Sequence, residues 1–143
     1  MPGAHKRLSA EVPACGTHCA TAVRMGAKTF QELFAWQCCS ELRDKVVAVC
    51  ATPPLQKDLD FRNQLRKAAC ATPRLIAEGF GRFGNREFRR YLSMARAELM
   101  EVQSDLIDLE GRHLVTQECV AELKTLADRA LRITTRLRSS LKG

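Results

Sequence analysis

Apolar positions in this chain recur at steps of three and four residues over four long stretches, set apart by short segments rich in proline, glycine and charge. The first stretch carries Ala35, Cys39, Leu42, Val46 and Val49 on one stripe, widened at its start by Phe30, Phe34 and Trp36. Thr29 and Glu32 have capping-box spacing, which predicts a helix beginning at Thr29. Pro53 and Pro54 end it, because proline lacks an N–H and restricts the residue before it. A second helix is expected from Asp58, with the stripe Phe61, Leu65, Ala68, Thr72, Leu75 and Gly79. Pro73 inside that pattern predicts a kink, and Gly79, Gly81 and Gly84 are expected to stop the helix. The third stretch is the most regular: Phe88, Leu92, Ala95, Leu99, Val102, Leu106 and Leu109 hold a heptad, with Asn85 as the expected N-cap and Gly111 as the expected left-handed C-cap. A fourth helix from Thr116 carries Val120, Leu123, Ala127, Ala130, Thr134, Leu137 and Leu141, broadened by Leu126 and Ile133.

Four helices of about 22–27 residues, joined by connections of about four to five, place sequential neighbours antiparallel. The expected fold is all-α, an antiparallel up-down-up-down four-helix bundle over residues 28–143. Residues 1–27, which contain Pro2, Gly3, Pro13, Gly16 and Gly26, are expected to form a flexible tail.

Composition supports this. At 143 residues the chain is one domain by size, and an aromatic content of 6% leaves an aliphatic core, as in helices packed on helices. No apolar run approaches the roughly 20 residues of a membrane span, so no membrane partner is expected. The first 27 residues lack the apolar region of a secretory signal. The seven cysteines are odd in number and form no disulfide framework, which predicts a reduced, cytoplasmic protein. Cys38, Cys39, Cys50, Cys70 and Cys119 fall in helical patterns and read as small buried hydrophobes. Cys15, His18 and Cys19 cluster, but no second cysteine–histidine pair follows to complete a zinc site, and no metal or cofactor is expected.

Charge changes the picture more. The net charge is +7, unevenly spread. Residues 57–96 carry ten basic and four acidic side chains, residues 97–128 two basic and eight acidic, and residues 129–143 five basic and none acidic. Two basic segments stand out as candidate phosphate-binding surfaces. One is the glycine-rich turn with Arg82, Arg86, Arg89 and Arg90, where Phe80 and Phe83 interleave and an aromatic ring could stack on an unpaired base. The other is Arg129, Arg132, Arg136 and Arg138, of which the first three share a helix face. The structural reading of the same residues is a tight turn with both phenylalanines covering the core, and cations placed favourably near a helix C-terminus. Glu78 stands alone on an apolar stretch and is expected to bond a nearby arginine or a helix N-terminus. His113 reads as a surface residue. No catalytic residue is assigned: no phosphate loop, dinucleotide fingerprint or converging His/Asp/Glu cluster is present, and the chain is expected not to be an enzyme.

The segment Ala71-Thr72-Pro73-Arg74-Leu75-Ile76-Ala77-Glu78-Gly79-Phe80-Gly81-Arg82 resembles the "IPSNIAEGFGR" signature of the four-helix-bundle family encoded in intervening sequences of bacterial 23S rRNA genes. Pro73, Ile76, Ala77, Glu78 and Gly79 carry the match. Other segments agree in order: Phe30 to Gln37 with "F..L..WQ", Gln64 to Ala69 with "QLRRAA", and Glu87 to Leu99 with "EFIRFLSIARGSL". The similarity runs from about residue 28 to residue 142. Arg74-Leu75 replaces the family's Ser-Asn pair, Glu101-Val102-Gln103 departs from its "ELETQL"-like pattern, and Gly111 to Leu114 replaces an "LGYI"-like turn. The resemblance implies a ring-forming bundle, commonly described as a homopentamer. It also implies a distant likeness to the accessory variability determinant of diversity-generating retroelements, a pentameric bundle described as binding nucleic acid and a reverse transcriptase. The resulting expectation is a non-enzymatic homo-oligomeric module that binds RNA or DNA through its basic patches. The alternative is a protein-interaction scaffold whose charged blocks pair between subunits or with a partner protein.

Overall fold

The computed structural model describes residues 26–142. Four long helices make up the fold: α1 (Phe34–Cys50), α2 (Leu59–Phe80), α3 (Asn85–Arg112) and α4 (Gln117–Ser140). A 3-10 turn, Phe30–Glu32, precedes α1, and a single-turn helix, Pro53–Gln56, follows it. No strand occurs among the described residues. Helix α1 packs on α2 and α4, and so does α3, while neither diagonal pair approaches closely. With short connections this gives a square up-down-up-down bundle.

The stripes read from the sequence are the core. Every residue of the α3 heptad is fully buried, and the α2 and α4 stripes are buried along their length. Burying side chains such as Phe88, Leu99 and Leu123 stabilises by about 1.5–3 kcal/mol each relative to exposure. Helices α2 and α4 start where expected: Asp58 caps α2 by accepting from the Phe61 amide at 3.1 Å, and Thr116 caps α4 by accepting from the Cys119 amide at 3.2 Å.

Several boundaries differ from expectation. The Thr29–Glu32 capping box does not form. The Glu32 carboxylate accepts from the Lys28 amide at 2.8 Å instead, and Leu33 turns extended (φ −73°, ψ 122°), which sends its side chain fully into the core. Helix α1 is therefore only 17 residues long, while the uninterrupted α3 reaches 28. Pro53 and Pro54 open the short helix, occupying first-turn positions where no N–H is needed, and seat Leu55 in the core. Helix α2 runs through Pro73, as its stripe predicts. The Ala69 carbonyl, deprived of the proline amide, accepts from Thr72 Oγ1 at 3.0 Å, so the buried acceptor stays satisfied.

Glycine positions differ too. Gly79 lies inside α2, and Gly111 inside α3. The left-handed residue closing α3 is His113 (φ 54°), and the N-cap of α3 is Gly84 at φ 86°, a conformation that favours glycine. Asn85 is the first helical residue, and its side-chain amide reaches the Lys142 carbonyl at 2.8 Å.

Ala27, placed in the tail by sequence, packs against the core; the rest of the expected tail up to residue 25, including Cys15, His18 and Cys19, lies outside the described residues. Among the described residues no helix is long and apolar enough to cross a membrane, and no three His, Cys, Asp or Glu side chains group as a metal site would need.

Candidate nucleic-acid interface

Antiparallel folding sorts the charge blocks by end. One end of the bundle holds the start of α1, the end of α2, the start of α3 and the end of α4. It gathers both basic segments, which are separated by the acidic block along the chain. The opposite end collects the acidic halves of α3 and α4. Three contacts tie the basic end together: Asn85 Nδ2 to the Lys142 carbonyl, Arg138 Nε to Ser93 Oγ at 2.6 Å, and Tyr91 OH to the Glu78 carboxylate at 3.1 Å.

The α2–α3 contact at this end depends on the signature residues. A Cβ on Gly79 would fall inside van der Waals contact of Tyr91 Cβ and within 3.0 Å of Phe88 Cδ2, so only glycine lets α3 close on α2. Pro73 and Ile76 are buried beneath it, Ala77 is half-buried, and Glu78 projects at the edge. Glu78 Oε1 accepts from both Tyr91 and Arg82, the latter at 3.2 Å, and the Arg82 guanidinium lies 5.4 Å from the Tyr91 ring centroid. This is the arginine pairing expected of Glu78. The hydrogen bond to Glu78 pushes the Arg82 pKa up, holding it cationic.

The eight arginines singled out in the sequence divide into two groups. Arg82 is committed to Glu78, Arg129 to Glu41 at 3.5 Å and to the Phe34 ring at 5.0 Å, and Arg90 reaches Glu87 at 3.9 Å. Arg138 is held by the neutral Ser93 hydroxyl, which itself donates to the Arg89 carbonyl at 3.0 Å. Arg86, Arg89, Arg132 and Arg136 have no carboxylate partner among the described residues. Arg129, Arg132 and Arg136 do share a helical phase, but Arg129 is drawn sideways onto α1, which leaves Arg132 and Arg136 facing outward.

One residue at this end escaped the sequence reading, and another took the less expected place. Arg96 is exposed, has no carboxylate partner among the described residues, and lies a heptad beyond Arg89 on the same side of α3. The heptad step was its signal. Phe83 was expected to cover the core, yet it is 99% exposed, whereas Phe80 is half-buried edge-to-face on Phe88, with ring centroids 6.1 Å apart. The reason is the turn: Phe80 still belongs to α2, while Gly81 to Gly84 carry the chain away from the core before Phe83 can turn inward.

Elsewhere burial sets the titrations. The Cys39 thiol is pushed up to about 11 by burial, with Thr134 Oγ1 at 3.8 Å. Burial raises the carboxyls of Asp105 and Glu98, opposed at Asp105 by the Gln64 hydrogen bond (2.6 Å) and at Glu98 by Lys67 and Arg74. Asp105 Oδ2 is buried with no partner among the described residues. Of the five described cysteines, Cys38, Cys39 and Cys50 are buried and Cys70 and Cys119 half-buried, and none forms a disulfide among the described residues.

The model of one protein family, described as 23S rRNA-intervening sequence protein, matches residues 31–136 of this chain. A comparison with curated proteins found no match.

Proposed function

The chain belongs to the 23S rRNA-intervening sequence protein family, and on that footing we propose that it is a non-enzymatic, homo-oligomeric module of the cytoplasm that binds RNA or DNA. The observation that supports binding is the convergence of two basic segments on one end, where Arg86, Arg89, Arg132 and Arg136 lack carboxylate partners among the described residues. Unpaired surface cations have no structural task to lose when they meet phosphate, and releasing the counterions of phosphate drives such binding. The ring, a pentamer by family resemblance, would repeat the basic end around an axis and multiply its affinity.

A salt series of fluorescence anisotropy with structured RNA and duplex DNA tests this. Four phosphate contacts per protomer predict a slope of about −3.6 log units of affinity per log unit of salt on duplex DNA. No retention of either nucleic acid at low salt removes the proposal.

A second reading, a protein-interaction scaffold, is favoured by one feature. Met94, Met100 and Ile107 are exposed along α3, beyond the stripe that the core uses. On this reading oligomer mass falls in high salt if charged blocks pair between subunits. It holds steady if apolar contact through α3 dominates.

A further inference from the structure

The one fully exposed aromatic ring among the described residues is Phe83, and it stands in the middle of the basic end. We propose that Phe83 is a stacking platform for an unpaired nucleobase, so that the basic end selects single-stranded or looped nucleic acid over duplex. This rests on the nucleic-acid reading above and narrows its ligand.

The turn is built to present the ring. Gly84 at φ 86° forces the chain into α3 immediately after Phe83, and no neighbouring heavy atom crowds that glycine. Phe80, three residues earlier, already packs edge-to-face on Phe88, the core ring nearest the turn. Leaving a phenylalanine in water forfeits the stabilisation of burial, a loss that a merely structural turn could avoid with any polar residue. Cations of the same end surround the ring in sequence, with Arg82 before it and Arg86 after it. Arg82 is tied to Glu78, which fixes the near side of the turn, and Arg86 has no carboxylate partner among the described residues.

An exposed ring beside unpaired guanidinium groups matches the two faces of an unpaired nucleotide. The π face of a base stacks on the ring, and the flanking phosphates meet the arginines. A duplex hides its base faces and offers the ring nothing. An apolar protein surface or a lipid layer would accept the ring, but neither calls for arginines flanking it unless it is itself anionic.

The test is anisotropy of the full chain with labelled oligothymidylate and oligouridylate single strands and with duplex DNA of equal length. Wild-type protein is expected to prefer the single strands. Phe83→Ala should weaken single-strand binding by roughly tenfold and leave duplex binding within about twofold. Phe83→Leu should behave like the alanine variant, since it keeps apolar bulk but lacks a π face, and Phe83→Trp should restore binding. The salt slope should not move in any of the three, because the phosphate contacts are untouched. Wild-type affinity in Phe83→Ala or Phe83→Leu overturns the stacking role while leaving nucleic-acid binding standing. An equal loss on single strands and duplex also overturns it. Failure of the wild-type protein to retain any of the probes overturns the parent reading and this one together. Because Phe83 is 99% exposed, none of these variants disturbs the core.

Discussion

The two ends of this bundle use the same residue types differently. At the acidic end three cations pair with carboxylates across helices, while Lys57, Arg62 and Arg66 there have no ion pair among the described residues. Arg112 pairs with Asp58 and with Asp108 at 3.0 Å, and its guanidinium lies 4.3 Å from the Phe61 ring centroid. Lys124 pairs with Glu110, and Lys45 with Glu122 at 2.8 Å, each bridging two helices. At the basic end Arg82, Arg90 and Arg129 find carboxylates, and Arg86, Arg89, Arg96, Arg132, Arg136 and Arg138 do not among the described residues. Charge that is matched across helices fixes the bundle's own geometry, whereas surplus charge of one sign has work only in the presence of a partner. Arg112 and Arg136 are both arginines near the end of a long helix, and only their surroundings separate a clamp from a candidate contact.

The comparison breaks first, and with the largest effect, at Arg132 and Arg136. Converting both to glutamate should lower affinity for nucleic acid by roughly tenfold per position and flatten the salt slope on duplex DNA by about 1.8 log units. Arg112→Ala should leave that affinity unchanged in the same anisotropy series. Equal losses from the two variants would mean that the ends are not functionally distinct.

Next come the glycines. Gly79→Ala places a methyl against the Cβ of Tyr91, which is fixed to the backbone of α3, and should destabilise by about 1–3 kcal/mol. Gly111→Ala sits in open space inside α3 and should stabilise by up to about 1 kcal/mol. Denaturant titration reads both, and the opposite signs are the point: close approach between helices is required at one end and not at the other.

A smaller effect is expected from the clamp itself. Arg112→Ala should lower the denaturation midpoint slightly, since the pairs are partly solvated, and high salt should shrink the difference from wild type.

The smallest effect is a pH dependence between the ends, at Asp105. Burial raises its carboxyl above the ordinary value of 3.8, so the folded state binds that proton more tightly than the unfolded chain does. Stability therefore falls as pH rises from the ordinary carboxyl range through the raised value, and the penalty is fully present above it. Asp105→Asn should flatten that decline in denaturant titrations from pH 4 to 7. An unchanged slope would show that Asp105 ionises without cost.

Much of the bundle was legible because the signals were local. Three- and four-residue steps marked the core faces, and Asp58 and Thr116 announced helix starts through side chains that reach their own first turn. The failures were equally physical. Thr29, Asn85 and Gly111 looked like caps, but Leu33 took a core position that interrupted α1, Asn85 was drawn to the distant Lys142 carbonyl, and α3 continued past Gly111 to a left-handed His113. At the candidate site the residue list was readable and its division was not. Nothing in the spacing of Arg129, Arg132 and Arg136 tells that Glu41 on α1 claims the first. Nor does the spacing of Phe80 and Phe83 tell that only the first reaches Phe88.

By itself the sequence determined the helical class, the faces that form the core, the alternation of charge blocks and the family. Each of these depends on periodicity, composition or residue order, which exist before folding. Only the tertiary structure decided that two basic segments, kept apart along the chain by an acidic one, meet at a single end. It also decided which arginines remain unpaired there and that Phe83 is left in water. The reason is that a partner on another helix is a matter of distance in space, and antiparallel packing brings together residues whose separation along the chain carries no hint of it.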